Sequence, residues 1–311
     1  MSSVLLTGGL GFIGSNTLDL LLERGYHVIV LDNQYSGKID NIKEHTSNPR
    51  LEIIIGDILD TGLLNKIMKK VDSVIHLAAL VSVDIANKQP LLAFKVNAGG
   101  TLNLLEVSRK SEIERFVYAS SAAVYGNPEM IPIHEKHPLR PLNPYGASKL
   151  AGEALVNAYS STYGLSTICL RYFNVYGPKM SGGPYAGVIS KFILNALANK
   201  DLEIFGDGNQ TRDFVFVRDV ANANIRALES KVDGIFNVGT GKGVTINQLA
   251  DIIIKLTKSK SQKIYSKPRA GDIYLSVADI SVIRRKLNWH PKVDLKDGIT
   301  KTIKYFEKEK V

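Results

Sequence analysis

The chain is expected to fold as an α/β protein: a doubly wound parallel sheet with a smaller C-terminal α/β cap that binds substrate. Three features of its 311 residues predict this. Short apolar runs alternate with helical stretches up to about residue 175, the rhythm of parallel strands joined by crossover helices. The first run is followed by Gly8, Gly11 and Gly14 and then by an apolar helix-forming segment, the order of a Rossmann-type strand, turn and helix. Beyond Asn174 the rhythm breaks into Gly- and Pro-rich stretches such as Tyr176-Gly177-Pro178, Gly182-Gly183-Pro184 and Gly206-Asp207-Gly208, as in a cap assembled in pieces.

Taken in order, the strand-like runs are 4–7, 27–31, 51–56, 73–78, 115–121 and 166–173, with helices expected over 12–24, 62–70, 91–109 and 144–163. The cap is expected to hold helices near 188–198, 219–228, 246–256 and 279–287, with one further strand at 235–238. This divides the chain into a dinucleotide-binding part, 1–175 with the added strand near 234–239, and a mainly substrate-binding part, 176–311. No flexible linker, internal repeat or low-complexity segment separates them, so one interleaved body is expected.

Composition narrows the function classes. The chain is 44% apolar and 22% charged, with no apolar run long enough to span a bilayer, so no membrane partner is expected. Met-Ser-Ser leads straight into the first strand with no secretory signal pattern, which points to the cytosol. Cys169, the one cysteine, lies in an apolar run and reads as a buried inert thiol. The charge of +9 favours acidic partners. Much of that excess sits on helix-surface and terminal lysines (Lys255, Lys258, Lys260, Lys263, Lys304, Lys308, Lys310), a solvated face rather than a nucleic-acid groove.

The glycine triplet carries the first chemistry. A pyrophosphate must reach backbone N–H groups at a helix N-terminus, and residues without a Cβ let the turn fold tightly enough. The next strand delivers Asp32 eighteen residues after Gly14, where a carboxylate can hold ribose hydroxyls. An acid there repels a 2′-phosphate, so NAD is expected rather than NADP.

Tyr145 and Lys149, four apart in Asn143-Pro144-Tyr145-Gly146-Ala147-Ser148-Lys149, share one helix face, with Asn143 as cap and Pro144 in the first turn. An ammonium near a phenol favours the phenolate, and the positive ring of an oxidised nicotinamide pushes the same way, which makes the pair a general base. Ser121, at the carboxyl end of its strand, can donate to the substrate oxygen that Tyr145 deprotonates. Competing constellations are missing: there is no Gly-x-Ser-x-Gly elbow and no HExxH. His134 and His137 lie in a proline-broken loop, so no metal is expected.

The set Thr7 to Gly14, Asp32-Asn33, Gly56-Asp57-Ile58, His76-Leu77-Ala78-Ala79, Asn97 with Gly100-Thr101, Ser120 to Gly126, Tyr145 to Lys149 and Arg171 to Asn174 resembles the extended short-chain dehydrogenase/reductase family. Within it, the chain looks most like the UDP-sugar 4-epimerases. The resemblance implies Ser121, Tyr145 and Lys149 as catalytic residues. It implies an NAD site formed by Gly8, Gly11, Phe12, Ile13, Gly14, Asp32, Asn33 and Ser36, by Asp57 and Ile58 at the adenine, and by Leu77, Ala78, Ala79, Asn97, Tyr145, Lys149 and Tyr172. For the sugar nucleotide it implies Ser121, Tyr145, Asn174, Val188, Phe205, Arg212, Arg269, Asp272 and Ser276. Two arginines suit a diphosphate, since each guanidinium makes paired charge-assisted bonds. It also implies a homodimer through the helices 91–109 and 144–163.

Departures sharpen the reading. Sugar-nucleotide dehydratases of this family carry an acidic pair after the position of Ser121, and decarboxylating relatives need a carboxylate there; this chain has Ala122 and Ala123. Ser276 stands where glucose-restricted epimerases carry a tyrosine, leaving room for an N-acetyl group. Val81 replaces a lysine and Ala86 a serine seen in relatives. The expected activity is therefore inversion at C4 of UDP-glucose and UDP-galactose, with the N-acetyl pair permitted. Two alternatives stand beside it: a related epimerase or oxidoreductase acting on another nucleotide sugar or a uronic acid, and a non-catalytic NAD-sensing protein.

Overall fold

A computed structural model describes residues 2–181, 187–268 and 273–309. The six N-terminal runs form β1 (Ser3–Thr7), β2 (His27–Asp32), β3 (Leu51–Ile55), β4 (Ser73–His76), β5 (Arg115–Ser121) and β6 (Thr167–Tyr172). With the edge strand Gly234–Val238 they make one seven-stranded sheet, all parallel, in the order Gly234–Val238, β6, β5, β4, β1, β2, β3. Strand order reverses between β1 and β4, and a crevice opens there at the carboxyl ends of the strands. Apolar clusters cover both faces, as an all-parallel sheet requires.

Local chemistry sets most of the helices. Gly11 occupies the N-cap of α1 (Phe12–Glu23) and supplies no side-chain bond there. Asp60 caps Thr61–Met68 by accepting from Leu63 N at 2.9 Å. Asn143 caps Pro144–Tyr163 in the same way, accepting from Gly146 N at 2.9 Å, and Gly164 ends that helix at φ 69.

The expected single helix over 91–109 is instead three pieces: Pro90–Phe94, a π-helical turn Lys95–Gly100, and Thr101–Lys110. Asn97 explains the break. Its Oδ1 accepts from Leu80 N at 2.7 Å and its Nδ2 donates to Leu80 O at 3.0 Å, so the side chain is drawn out of helical register beside two weak helix formers, Gly99 and Gly100. The C-terminal helix Leu295–Glu309 is likewise beyond the sequence reading: its surface is rich in lysine, while Ile299, Ile303 and Phe306 are buried.

Past β6 the chain builds short strands that pair Asn174–Tyr176 with Phe214–Phe216, Leu202–Phe205 with Lys263–Ser266, and Thr211–Arg212 with both Val244–Thr245 and Leu275–Ser276. They share an apolar core with the helices Val188–Leu197, Ile246–Thr257 and Leu295–Glu309. Between them the helix Val217–Glu229 returns to α1, where Asn224 Nδ2 donates to Thr17 Oγ1 at 3.0 Å.

Candidate active site

The carboxyl ends of the strands open into a cleft of about 1270 Å³. At one end the glycine turn forms its floor. Gly8 sits at φ +69, and a Cβ there would fall 2.7 Å from Ala78 N; a Cβ on Gly14 would run into Gly8 O. Backbone must therefore pass where any other residue would carry a side chain. With Gly11 as an empty-handed cap, the first amides of α1 lack a side-chain partner, and Phe12, Ile13 and Gly14 line the cleft. That is an anion cradle at a helix N-terminus.

Asp32 lines the cleft beside it and is almost fully buried. Its Oδ2 accepts from Leu10 N at 3.0 Å and its Oδ1 from Gln34 N at 2.8 Å. Burial pushes its carboxyl up, against those two backbone bonds. Asn33 Nδ2 donates to Asp57 Oδ2 at 2.8 Å, and Asp57 Oδ1 accepts from Leu59 N at 2.9 Å. Ser36, Ile58, Leu77, Ala78, Ala79 and Tyr172 complete this stretch of wall. Asn97 does not: it is 1% exposed and stands behind the wall, holding the Leu80 backbone and donating to Ser148 Oγ at 2.9 Å. This cradle and its carboxylates fit a dinucleotide.

Farther along, Ser121, Tyr145 and Lys149 line the same cleft. Ser121 ends β5 and caps the turn Ala122–Val124, its Oγ accepting from Ala123 N at 3.1 Å. Tyr145 begins the helix Pro144–Tyr163 and lines the cleft with Ser121. Burial raises the Tyr145 phenol, and the nearby Ser121 hydroxyl opposes that. Lys149 is pushed down to about 7, burial outweighing the opposing influence of Cys169 and Glu153. Its Nζ lies 4.4 Å from the centre of the Tyr118 ring.

From the sequence, the Lys149 ammonium is expected to lower the phenol. In the structure the phenol stands above its ordinary value, because burial dominates and the Lys149 cation rests on a different ring.

Sequence reasoning overlooked several contributors. Tyr118 of β5 is one, as the ring that carries the Lys149 ammonium. Others line the cleft itself: Phe173, Val175, Lys179 and, from the C-terminal helix, Tyr305 and Phe306. The spacing of Ile299, Ile303 and Phe306 was the available signal for that helix.

The cap residues are arranged differently. Asn174 is exposed and donates its N–H to Asp213 O at 3.0 Å. Val188 starts its helix beside Gly187, which lines the cleft. Arg212 and buried Ser276 are register partners on adjacent strands, and Phe205 ends its own strand. None of these five lines the cleft. Arg269 and Asp272 lie outside the described residues.

The chain is similar to known proteins along almost its whole length. The family model described as GDP-mannose 4,6 dehydratase matches residues 5–302. A UDP-glucose 4-epimerase of Mycolicibacterium smegmatis is 38% identical over 307 residues, covering 97% of each chain. The UDP-N-acetylglucosamine 4-epimerase of Methanobrevibacter ruminantium M1, solved in complex with UDP-N-acetylmuramic acid, superposes with a TM-score of 0.94 at 39% identity, covering 99% of this chain and 98% of that one. The Thermus thermophilus UDP-glucose 4-epimerase, solved in complex with NAD, superposes with a TM-score of 0.89 at 36% identity, covering 98% of this chain and 99% of that one. With a glycine cradle, a strand-end serine and a Tyr-x-x-x-Lys helix on one cleft, the chain belongs to the GDP-mannose 4,6 dehydratase family of extended short-chain dehydrogenases/reductases.

Proposed function

We propose that this protein is an NAD-dependent UDP-hexose 4-epimerase. The observation that carries the reading is that Ser121, Tyr145 and Lys149 line one cleft with the glycine cradle. Gly8 to Gly14, Asp32, Asp57, the wall from Leu77 to Ala79, Lys149 and Tyr172 would hold the dinucleotide. When bound, NAD+ would supply a reversible hydride acceptor for oxidation at the sugar C4.

Tyr145 is the general base: as phenolate it takes the proton of the sugar 4-hydroxyl, Ser121 bridges that transfer, and the same groups return the proton after the 4-keto sugar has turned. Lys149, still partly cationic near neutral pH, supports the phenolate through the field of the site. Ala122 and Ala123 lack the carboxyl groups that elimination of water demands, which favours epimerisation over dehydration. The UDP moiety is anchored by Asn174, Val188, Phe205, Arg212, Arg269 and Asp272, leaving the hexose ring free to rotate. Ser276 leaves space for an N-acetyl group, so UDP-GlcNAc and UDP-GalNAc join UDP-glucose and UDP-galactose as substrates.

The enzyme acts as a homodimer. Leu91, which is 87% exposed, and the exposed Phe94, Leu102 and Tyr163 place apolar surface on the two helical stretches that would meet across a two-fold axis. Incubation with UDP-glucose and UDP-GlcNAc in separate tubes, followed by proton NMR of the 4-position, tests the activity. The axial product from either sugar is expected, and its absence from both with NAD supplied ends the reading.

A further inference from the structure

Behind Ser121 runs a buried polar chain that the reaction as described does not use. Glu153 and Arg171, with side chains 4% and 2% exposed, form a two-point ion pair. Glu153 Oε2 also accepts from Ser120 Oγ at 2.7 Å. Arg171 extends the chain outward: its Nη1 donates to the Tyr125 hydroxyl at 2.9 Å, and that hydroxyl donates to Asn237 Oδ1 at 2.6 Å. Asn237 in turn donates its N–H to Glu135 Oε1 at 3.0 Å. Distant parts of the fold thus converge on one carboxylate lying between Ser120 and Lys149.

We propose that Glu153, clamped by Arg171, is a positioning residue for the Ser121–Tyr145–Lys149 site: it pins the end of β5 through Ser120 and sets its charge one helical turn beyond Lys149. The inference rests on the epimerase reading for its catalytic meaning.

A buried ammonium needs a compensating charge. The groups facing Lys149 are Tyr118 from β5, His76 from β4, Cys169 from β6, and Tyr145 and Glu153 from its own helix. Of these, Glu153 is the one carboxylate. Before NAD+ binds, burial holds the Cys169 thiol and the two phenols above their ordinary values and the His76 imidazole far below its own, so all four are neutral near pH 7. Arg171 keeps the Glu153 carboxylate oriented at the cost of a second buried charge. An ion pair replaceable by apolar packing is poor evidence for stability alone, which directs attention to what its field does.

The test reads Lys149 directly. Protein carrying 13C-labelled lysine is titrated by NMR, the Lys149 Cε signal being assigned by its loss in Lys149→Met. Glu153→Gln is expected to lower the Lys149 midpoint by roughly one pH unit, and the alkaline limb of epimerase activity is expected to move down with it. Glu153→Asp, which keeps the charge, is expected to restore most of the midpoint. Since Glu153→Gln strands Arg171 and can fail to fold, the double variant Glu153→Gln/Arg171→Met is measured too; its midpoint is expected below the wild-type value. A midpoint unchanged in every folded variant, with activity falling only as the folded fraction falls, overturns the proposal. If the wild type epimerises nothing, the reaction reading fails, and the NMR midpoints still decide the role of Glu153.

Discussion

Around β1, β2 and β4 the candidate residues sit where backbone geometry leaves them no freedom, whereas in the cap they stand on strands only two to four residues long. Gly8 is locked against Ala78, Asp32 is held by two backbone amides, Ser121 caps the turn after β5, and Tyr145 sits in the first turn of a helix capped by Asn143. These groups face one cleft. Arg212, Ser276, Phe205 and Asn174 share no cavity wall with them, although Arg212 and Ser276 are register partners. On the proposed reading, the contrast teaches that phosphate and proton chemistry is written into the sheet, while sugar selection is left to short cap segments outside it.

The contrast can be broken first at its strongest point. Tyr145→Phe removes the proposed base but none of the cradle, so kcat is expected to fall about 1000-fold with NAD retention unchanged; co-purified cofactor and turnover, measured on the same sample, check this.

A second prediction concerns pH. His76 is buried between Thr7 and Thr101, with Nδ1 2.8 Å from Thr7 Oγ1 and Nε2 3.0 Å from Thr101 Oγ1. Thr101 Oγ1 donates to Asn97 O at 2.6 Å, so His76 must donate through Nε2 and accept at Nδ1, the neutral tautomer. Burial, followed by the nearby Lys149, pushes its pKa down to about 3. The folded value lies below the unfolded one, so the unfolded chain binds the extra proton. Stability from this group is complete above about pH 6.5 and is lost as pH falls toward 3. Urea unfolding at pH 7 and pH 4 should show the wild type losing about 3 kcal/mol more than His76→Gln.

Gly14→Ala tests the cradle sterically. The added methyl collides with Gly8 O, and cofactor retention should weaken by about 2 kcal/mol, measured by titration calorimetry. An alanine tolerated there without loss would mean that the turn has slack and that the contrast with the cap is overstated. The smallest effect is expected in the cap itself: Ser276→Tyr should cut turnover of the N-acetyl sugars about tenfold relative to UDP-glucose in a competition assay.

What could be read in advance follows the same division. The strands of the sheet announced themselves because a parallel sheet buried on both faces needs continuous apolar runs, and the cradle because only glycine fits its turn. The π-helical turn stayed hidden because one tertiary contact, Asn97 to the Leu80 backbone, overrides local preference. Lys149 was legible as a residue and illegible in its setting: spacing puts it on the face of Tyr145, but the Tyr118 ring and the Glu153–Arg171 pair come from packing between elements far apart in sequence. In the cap, strands as short as Thr211–Arg212 offer no periodicity to read, so its candidate residues rested on resemblance.

The outermost strand, Gly234–Val238, arrives in the sheet only after the chain has built part of the cap. It pairs along β6 and brings Asn237 to the end of the buried polar chain. A fragment ending at residue 175 would therefore display β6 as a bare hydrogen-bonding edge, inviting self-association, and would leave the Tyr125 hydroxyl without its acceptor. Synthesis must run well past the helix Pro144–Tyr163 before the seven-stranded sheet can close, so nascent chains paused before residue 238 are the stage most in need of chaperone protection.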